Sequence, residues 1–214
     1  MKRLKEKTMT PVRRQAERVA LTREKILSSA QRIFARDGFE AAKLEEIASD
    51  AGYTRGAFYA NYKNKEELFV AVAGQQIEHH ISIALRSVRS RTDIKSKIHE
   101  LLRMGDIPEA RTWVLLMTEF SLFVLRQPQR KKHLVSLYDR LLKGIETVFE
   151  DLYKETDRKP PVPLSIIGIG FYSLAQGLVL QEMLNGDLVT PKVSTDLLAI
   201  YLRAVLGEKS ERGA

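Results

Sequence analysis

Between Thr54 and Asn61 the chain reads TRGAFYAN, and most of these residues share one kind of chemistry. Arg55 carries a planar fork of N–H donors that matches the O6 and N7 acceptors of guanine. Gly56 and Ala57 are small enough to bring a backbone close to base edges, and the Ala57 methyl suits a thymine methyl. Tyr59 and Asn61 offer hydrogen bonds to phosphate oxygens or to bases, and Thr54 stands where a helix would need a cap. Lys43 and Lys65 flank the segment. Lys65 falls in the first turn of a following helix, where the dipole disfavours a cation. A phosphate docked at that N-terminus would reverse the penalty and use the free backbone N–H groups. The candidate nucleic-acid interface is therefore Lys43, Thr54, Arg55, Gly56, Ala57, Tyr59, Asn61 and Lys65.

Such side chains read a groove only if a short helix presents them outward and a second helix braces it. Leu44, Ile47, Ala48 and Ala51 make the apolar stripe of a short helix, and Gly52 ends it, because glycine takes positive φ at no steric cost. Phe58 and Tyr62, four apart, form the inner face of the next helix. Ile26, Ala30, Ile33 and Phe34 recur at helical spacing in a first helix that starts at a Thr22 cap and stops at Asp37-Gly38. Asn64 with Glu67 three residues later is a capping box for a fourth helix reaching about Leu85.

Charge agrees with a polyanionic partner. Residues 1–65 hold 15 Lys/Arg against 8 Asp/Glu, whereas residues 66–214 hold 20 against 19. Almost all of the net +8 therefore lies in the first third. A solvated basic tail is the bland alternative for part of this charge. Residues 1–21 read as a basic, mobile arm that frames the first helix.

The remainder reads as five more helical stretches: Asp93–Met104, Pro108–Arg126, Gln129–Thr156, Leu164–Asn185 and Thr195–Leu206. Pro128, Lys159-Pro160-Pro161-Val162-Pro163 and Asn185-Gly186-Asp187 mark breaks. No segment alternates like a strand, and no fixed-period repeat occurs, so the expected fold is all-α with about nine helices. The most apolar run, Ile166 to Leu180, is shorter than the ~20 residues a bilayer span needs and reads as a buried helix.

The segment from Thr22 to Gly74 resembles the N-terminal domain of the tetracycline-repressor (TetR/AcrR) family. The resemblance rests on Ile26-Leu27, Ala30, Phe34 and Gly38-Phe39, then Leu44, Ile47-Ala48 and Ala51-Gly52. It continues through Gly56-Ala57-Phe58-Tyr59 into Tyr62-Lys63-Asn64-Lys65-Glu66-Glu67-Leu68-Phe69. Three positions depart from the family pattern. Ala42 and Lys43 stand where a hydroxyl is usual, Asn61 replaces a common histidine, and Glu45 is acidic. The resemblance implies a three-helix DNA-binding domain at 22–80 with the helix-turn-helix at about 43–62. It also implies a larger effector-binding and dimerisation domain at 81–214.

It further implies a cytoplasmic homodimeric transcriptional regulator on a palindromic double-stranded DNA operator. In the expected form this is a repressor released by a small hydrophobic or amphipathic effector. The dimer would use the last two helices, where Gly170, Ser173 and Gly177 share one small-residue face. The same face could instead pack inside one chain. Candidate pocket residues are Trp113, Met117, Phe120 and Phe123 on one helix, and Phe171, Tyr172 and Gln176 on another. An aromatic stripe at this spacing is also what a plain core looks like.

Other chemistry finds little support. The chain has no cysteine, its four histidines never stand at i, i+4, and no P-loop or nucleophile elbow occurs. Neither an enzyme, a cofactor nor a metal is expected, and no membrane partner. Two rivals to the regulator remain: an architectural DNA-binding protein without an effector, and an all-α ligand-binding or scaffold protein that has lost DNA binding.

Overall fold

A computed structural model describes residues 11–103, 108–154, 156 and 158–207. Among them the chain forms nine α-helices and no strand. They are α1 (Pro11–Ala41), α2 (Leu44–Asp50), α3 (Arg55–Tyr59), α4 (Lys65–Arg89), α5 (Ile94–Arg103), α6 (Pro108–Leu125), α7 (Lys131–Tyr153), α8 (Leu164–Leu184) and α9 (Pro191–Leu206). A 3₁₀ turn, Pro128–Arg130, precedes α7. The chain divides into two compact units, residues 1–72 and 73–214, with the boundary inside α4.

The first unit is built around aromatic side chains. Phe34 packs edge-on against Phe69 with ring centroids 5.3 Å apart, and Phe39 packs on Phe69 at 5.1 Å. Ile26, Ala30, Phe34, Phe39, Ile47, Ala48, Phe58, Tyr62, Leu68 and Phe69 are all buried. Gly38 lies at φ 80°, ψ 176°, so the long first helix breaks there and Phe39 turns inward.

Helix starts differ from the sequence expectation in two places, each for a local reason. Thr22 does not cap α1 but lies inside it, its hydroxyl donating back to the Arg18 carbonyl at 2.8 Å. A mid-helix threonine satisfies itself this way. Residues 11–21 of the expected arm are accordingly helical, and residues 1–10 lie outside the described residues. α9 begins at Pro191, four residues before the expected Thr195, because Thr190 Oγ1 accepts from Val193 N at 3.3 Å and proline fits the first helical position.

In the second unit α8 packs against α6, α7 and α9, and α5 packs on α9. Gly144 on α7 admits α4 closely: a Cβ there would lie 2.5 Å from Ile81 Cγ1. Tyr201 on α9 donates to the Ile167 carbonyl on α8 at 2.7 Å. α8 is not the buried helix that its composition suggests. It is long and apolar enough to cross a membrane by length and composition, and only 17% of its most apolar window is buried within the chain.

Two substitutions test this packing by thermal unfolding. Phe34→Ala should cost about 3–5 kcal/mol, as expected for an emptied aromatic core position. Gly144→Ala should cost about 1–3 kcal/mol through overpacking against Ile81. An unchanged Tm in either variant would refute the corresponding contact.

Candidate nucleic-acid interface

The angle between α2 and α3 is fixed by a closed set of backbone and core contacts. Gly52 sits at φ 78° just past α2. Its N–H donates to the Ser49 carbonyl at 2.9 Å, and Tyr53 N–H reaches the Ala48 carbonyl at 2.8 Å. These two bonds are the paired pattern of a Schellman C-cap, which needs a left-handed residue where Gly52 stands. Thr54 then caps α3 by accepting from Ala57 N at 3.3 Å. The buried Ser29 hydroxyl of α1 donates to the Ile47 carbonyl of α2 at 2.9 Å. Phe58 closes the inside of α3 against Tyr62, centroids 6.0 Å apart.

Ion pairs reinforce the brace from outside. Arg32 bonds Asp50 at 2.5 Å, and Arg36 bridges Asp37 and Glu46 at 2.6 Å each. Arg36 holds the Asp37 carboxyl below its ordinary 3.8, and Ser29 followed by Arg32 does the same for Asp50. Carboxyls lowered on folding contribute fully above that ordinary value, and the contribution is lost as pH falls through their folded values. These links therefore hold throughout the neutral range.

With its inner face packed, α3 presents Thr54, Arg55, Gly56 and Tyr59 to solvent, with Ala57 half-buried. The Arg55 side chain is 64% exposed, yet it is not loose. Its guanidinium lies 5.5 Å from the Tyr59 ring centroid and 3.2 Å from Glu45 Oε1 on α2. Tyr59 first, and then Glu45, raises its pKa above the ordinary value. A built Cβ at Gly56 would meet only Thr54 Oγ1, at 3.8 Å, so the surface there is open to a close approach. Lys43 is exposed at the N-cap of α2 and makes no side-chain capping bond.

Two expected contact residues are placed differently. Asn61 lies beyond the end of α3, half-buried, and its Nδ2 donates to the Ala57 carbonyl at 2.8 Å. Its amide donor secures the helix end rather than projecting from the reading face. Lys65 is engaged within the chain. Its ammonium donates to the carbonyls of Glu40 at 2.7 Å and Ala42 at 3.3 Å, and lies 5.0 Å over the Phe39 ring. The cation tolerated in the first turn of α4 is the one that satisfies the carbonyl end of α1. At the N-terminus of α4 a capping box forms: Asn64 Oδ1 accepts from Glu67 N at 2.8 Å and Glu67 Oε2 from Lys63 N at 2.7 Å.

In the second unit the expected pocket residues pack against other side chains. Met117 and Phe120 are fully buried core, and Phe123 stacks on Phe120. Trp113 meets His80, Phe171 meets Phe149, and Tyr172 meets Tyr138 edge-on. Burial and Tyr138 push the Tyr172 hydroxyl far above its ordinary range. Gln176 is half-buried. None of the seven lines the described cavity of about 620 Å³, an open groove whose lining includes Ile77, Ile81 and Leu85 of α4 and Arg140, Lys143 and Gly144 of α7. The sequence signal for it was Gly144, the one glycine of α7. Gly170 also needs correction, since a Cβ there would lie 2.5 Å from Tyr201 Oη. It packs inside the chain. Ser173 is exposed, and a Cβ at Gly177 would meet nothing within 4 Å.

A braced short helix with an exposed, partly tethered arginine defines a helix-turn-helix DNA-binding protein. Residues 26–72 match the family model described as bacterial regulatory proteins, tetR family. The chain is 24% identical over 187 residues to the HTH-type transcriptional regulator YfiR of Bacillus subtilis, covering 85% of this chain and 90% of that one. It is 22% identical over 172 residues to the transcriptional repressor AcnR of Corynebacterium diphtheriae, covering 79% and 85%. The fold also matches the fatty acid degradation regulator FadR of Bacillus halodurans, with TM-score 0.64 and 15% identity over 96% of this chain and 100% of that one. The chain belongs to the TetR/AcrR family and is a DNA-binding transcriptional regulator.

Three variants separate reading from bracing. Arg55→Ala should lower operator preference over unrelated DNA by about ten- to a hundredfold, the range of one good base contact. Glu45→Ala should lower it by a smaller factor, because it frees the guanidinium while removing a carboxylate near phosphate. Lys65→Met should lower the Tm and leave the operator preference intact. A Lys65→Met protein with wild-type Tm and weaker DNA binding would restore the phosphate role.

Proposed function

We propose that the protein is a cytoplasmic homodimeric repressor that two copies of α3 hold on a palindromic operator, and that a small hydrophobic or amphipathic molecule releases it. The exposed, tethered Arg55 beside the open Gly56-Ala57 surface carries the DNA-reading part of this proposal. One such helix reads too few bases for a unique site, whereas two half-sites about 34 Å apart double the discrimination. Related proteins named as repressors support the negative sign of control.

The dimer is supported by an apolar stripe that the chain itself leaves uncovered. Ile166 and Ile169 on α8 and Val193, Leu197 and Ile200 on α9 are exposed, with Ile200 at 62%. They recur three and four apart on two packed helices, continuous with Ser173 and Gly177. A second copy covering this stripe with its own makes a self-complementary two-fold interface. The same stripe also accounts for a helix as apolar as α8 in a chain that reads DNA. Effector response is supported by the groove between α4 and α7, whose volume falls within the range of small-molecule sites. Its apolar residues Ile77, Ile81 and Leu85 suit a small hydrophobic or amphipathic molecule, and its polar lining carries both signs, with Arg140 paired to Glu78 and Asp139 beside it. α4 contributes residues both to this groove and to the DNA-binding unit, so a ligand that prefers one arrangement of α4 would shift the population between binding states.

Leu197→Glu with Ile200→Glu should convert the dimer into a 24.4 kDa monomer in sedimentation and cut operator affinity at least tenfold. A double variant that stays dimeric would exclude this face. Long-chain carboxylates, titrated against the operator complex, should lower affinity. If Lys143→Glu abolishes that response, the groove is the site, and if no ligand shifts affinity, a constitutive architectural role replaces the regulated one.

A further inference from the structure

Two acidic residues stand in the first turn of α2, and they turn in different directions. Glu46 pairs with Arg36 of α1 at 2.6 Å and belongs to the brace. Glu45, one position earlier, reaches the outer face of α3, where its Oε1 lies 3.2 Å from Arg55 Nη1. Both carboxylates suit the N-terminal end of the α2 dipole, so the dipole does not account for the direction that Glu45 takes. Fold stability does not account for it either. The Arg55 and Glu45 side chains are 64% and 58% exposed, and an ion pair so exposed adds little.

The chemistry of the pair suits a base edge. An arginine that reads guanine from the major groove uses two of its N–H donors on O6 and N7 and keeps others free. A carboxylate accepts at both oxygens, and the Arg55 contact engages one of them. Successive bases stand about 3.4 Å apart along a strand, close to the 3.2 Å between the two side chains. A carboxylate carried into the groove beside Arg55 meets few suitable neighbours, because it can only accept. Cytosine offers it the N4 amine, whereas thymine O4 and guanine O6 are themselves acceptors. A desolvated carboxylate facing another acceptor is strongly unfavourable, so the discrimination arises largely by rejection.

We propose that Arg55 and Glu45 read DNA as one unit, with Arg55 on a guanine and Glu45 on the N4 amine of a cytosine in the adjacent base pair. This rests on the reading of α3 as a major-groove helix. It extends base recognition in each protomer from α3 to the first turn of α2, and it makes a negatively charged residue a determinant of sequence choice. The charge that Glu45 brings to the interface is then matched by Arg55 on one side and by a base amine on the other.

The test is a base-substitution scan of the duplex that the full-length wild type enriches from a random pool. Every base pair of that site is replaced in turn by the other three, and affinity is measured for wild type, Arg55→Ala, Glu45→Ala and Glu45→Gln. Both positions are exposed, and thermal unfolding confirms that each variant folds. Arg55→Ala should flatten the preference at one guanine, which locates the pair on the site. Wild type should favour cytosine over thymine beside that guanine by about tenfold, the order of one good base contact. Glu45→Ala should abolish that preference, and Glu45→Gln should move it to adenine, whose N6 and N7 match a carboxamide. A wild type indifferent to the base beside the guanine would overturn the proposal. So would Glu45 variants that keep the cytosine preference and lose only part of the guanine preference, since Glu45 would then merely confine Arg55. An equal rise in affinity for every duplex with Glu45→Gln would mark the carboxylate as repulsive only and would also overturn it. A pool from which nothing is enriched, or a scan that Arg55→Ala leaves unchanged at every position, would instead overturn the reading of α3 itself.

Discussion

Everything that α3 does depends on a single left-handed residue. Gly52 at φ 78° turns the chain between two helices that are too short to be stable alone. The turn satisfies the open carbonyls of α2, delivers Thr54 to its capping position and lets Phe58 reach the core from the other side. Ser29 and two arginine–carboxylate links then hold α2 against α1. Only with the backbone so constrained can Gly56 and Ala57 be left small and open. A reading helix gains specificity from rigidity, because side chains held in place before binding lose less entropy on meeting the bases.

The same logic places an acidic residue beside the interface. In the proposed complex Glu45 would lie near a polyanion, which on charge alone is unfavourable. In the structure it reaches Arg55, and with the Tyr59 ring it confines a long flexible side chain to one region of the surface. The repulsion would be offset by an arginine that is already confined when DNA arrives. Charge at this surface is thus divided among roles. Arg32 and Arg36 are consumed in bracing, Lys65 in closing the end of α1, and Arg55 is left to project.

The helical framework and the turn were legible in the sequence because they rest on local rules. Apolar spacing, Gly52, the Thr54 cap and the Asn64–Glu67 box each act within a few residues. What was not legible depended on partners distant in sequence. Lys65 looked misplaced because the carbonyls it serves lie 23 and 25 residues earlier. Gly170 looked like half of a helix–helix seam between chains, and the Tyr201 hydroxyl that fills it comes from the next helix. The aromatic run of α6 could be a pocket or a core by spacing alone, and in the structure Met117 and Phe120 are buried. The groove between α4 and α7 has almost no aromatic signature, so an aromatic search could not find it.

The geometry makes one direct demand on the DNA. Dimethyl sulfate methylates guanine N7 in the major groove, the acceptor that Arg55 would engage in the proposed complex. Footprinting of the bound operator should show protected guanines in two patches related by a two-fold axis and separated by about one helical turn, with minor-groove positions in between left reactive. Full reactivity of every guanine N7 in a saturated complex, or a single unpaired patch, would mean that α3 does not enter the major groove in the paired arrangement described.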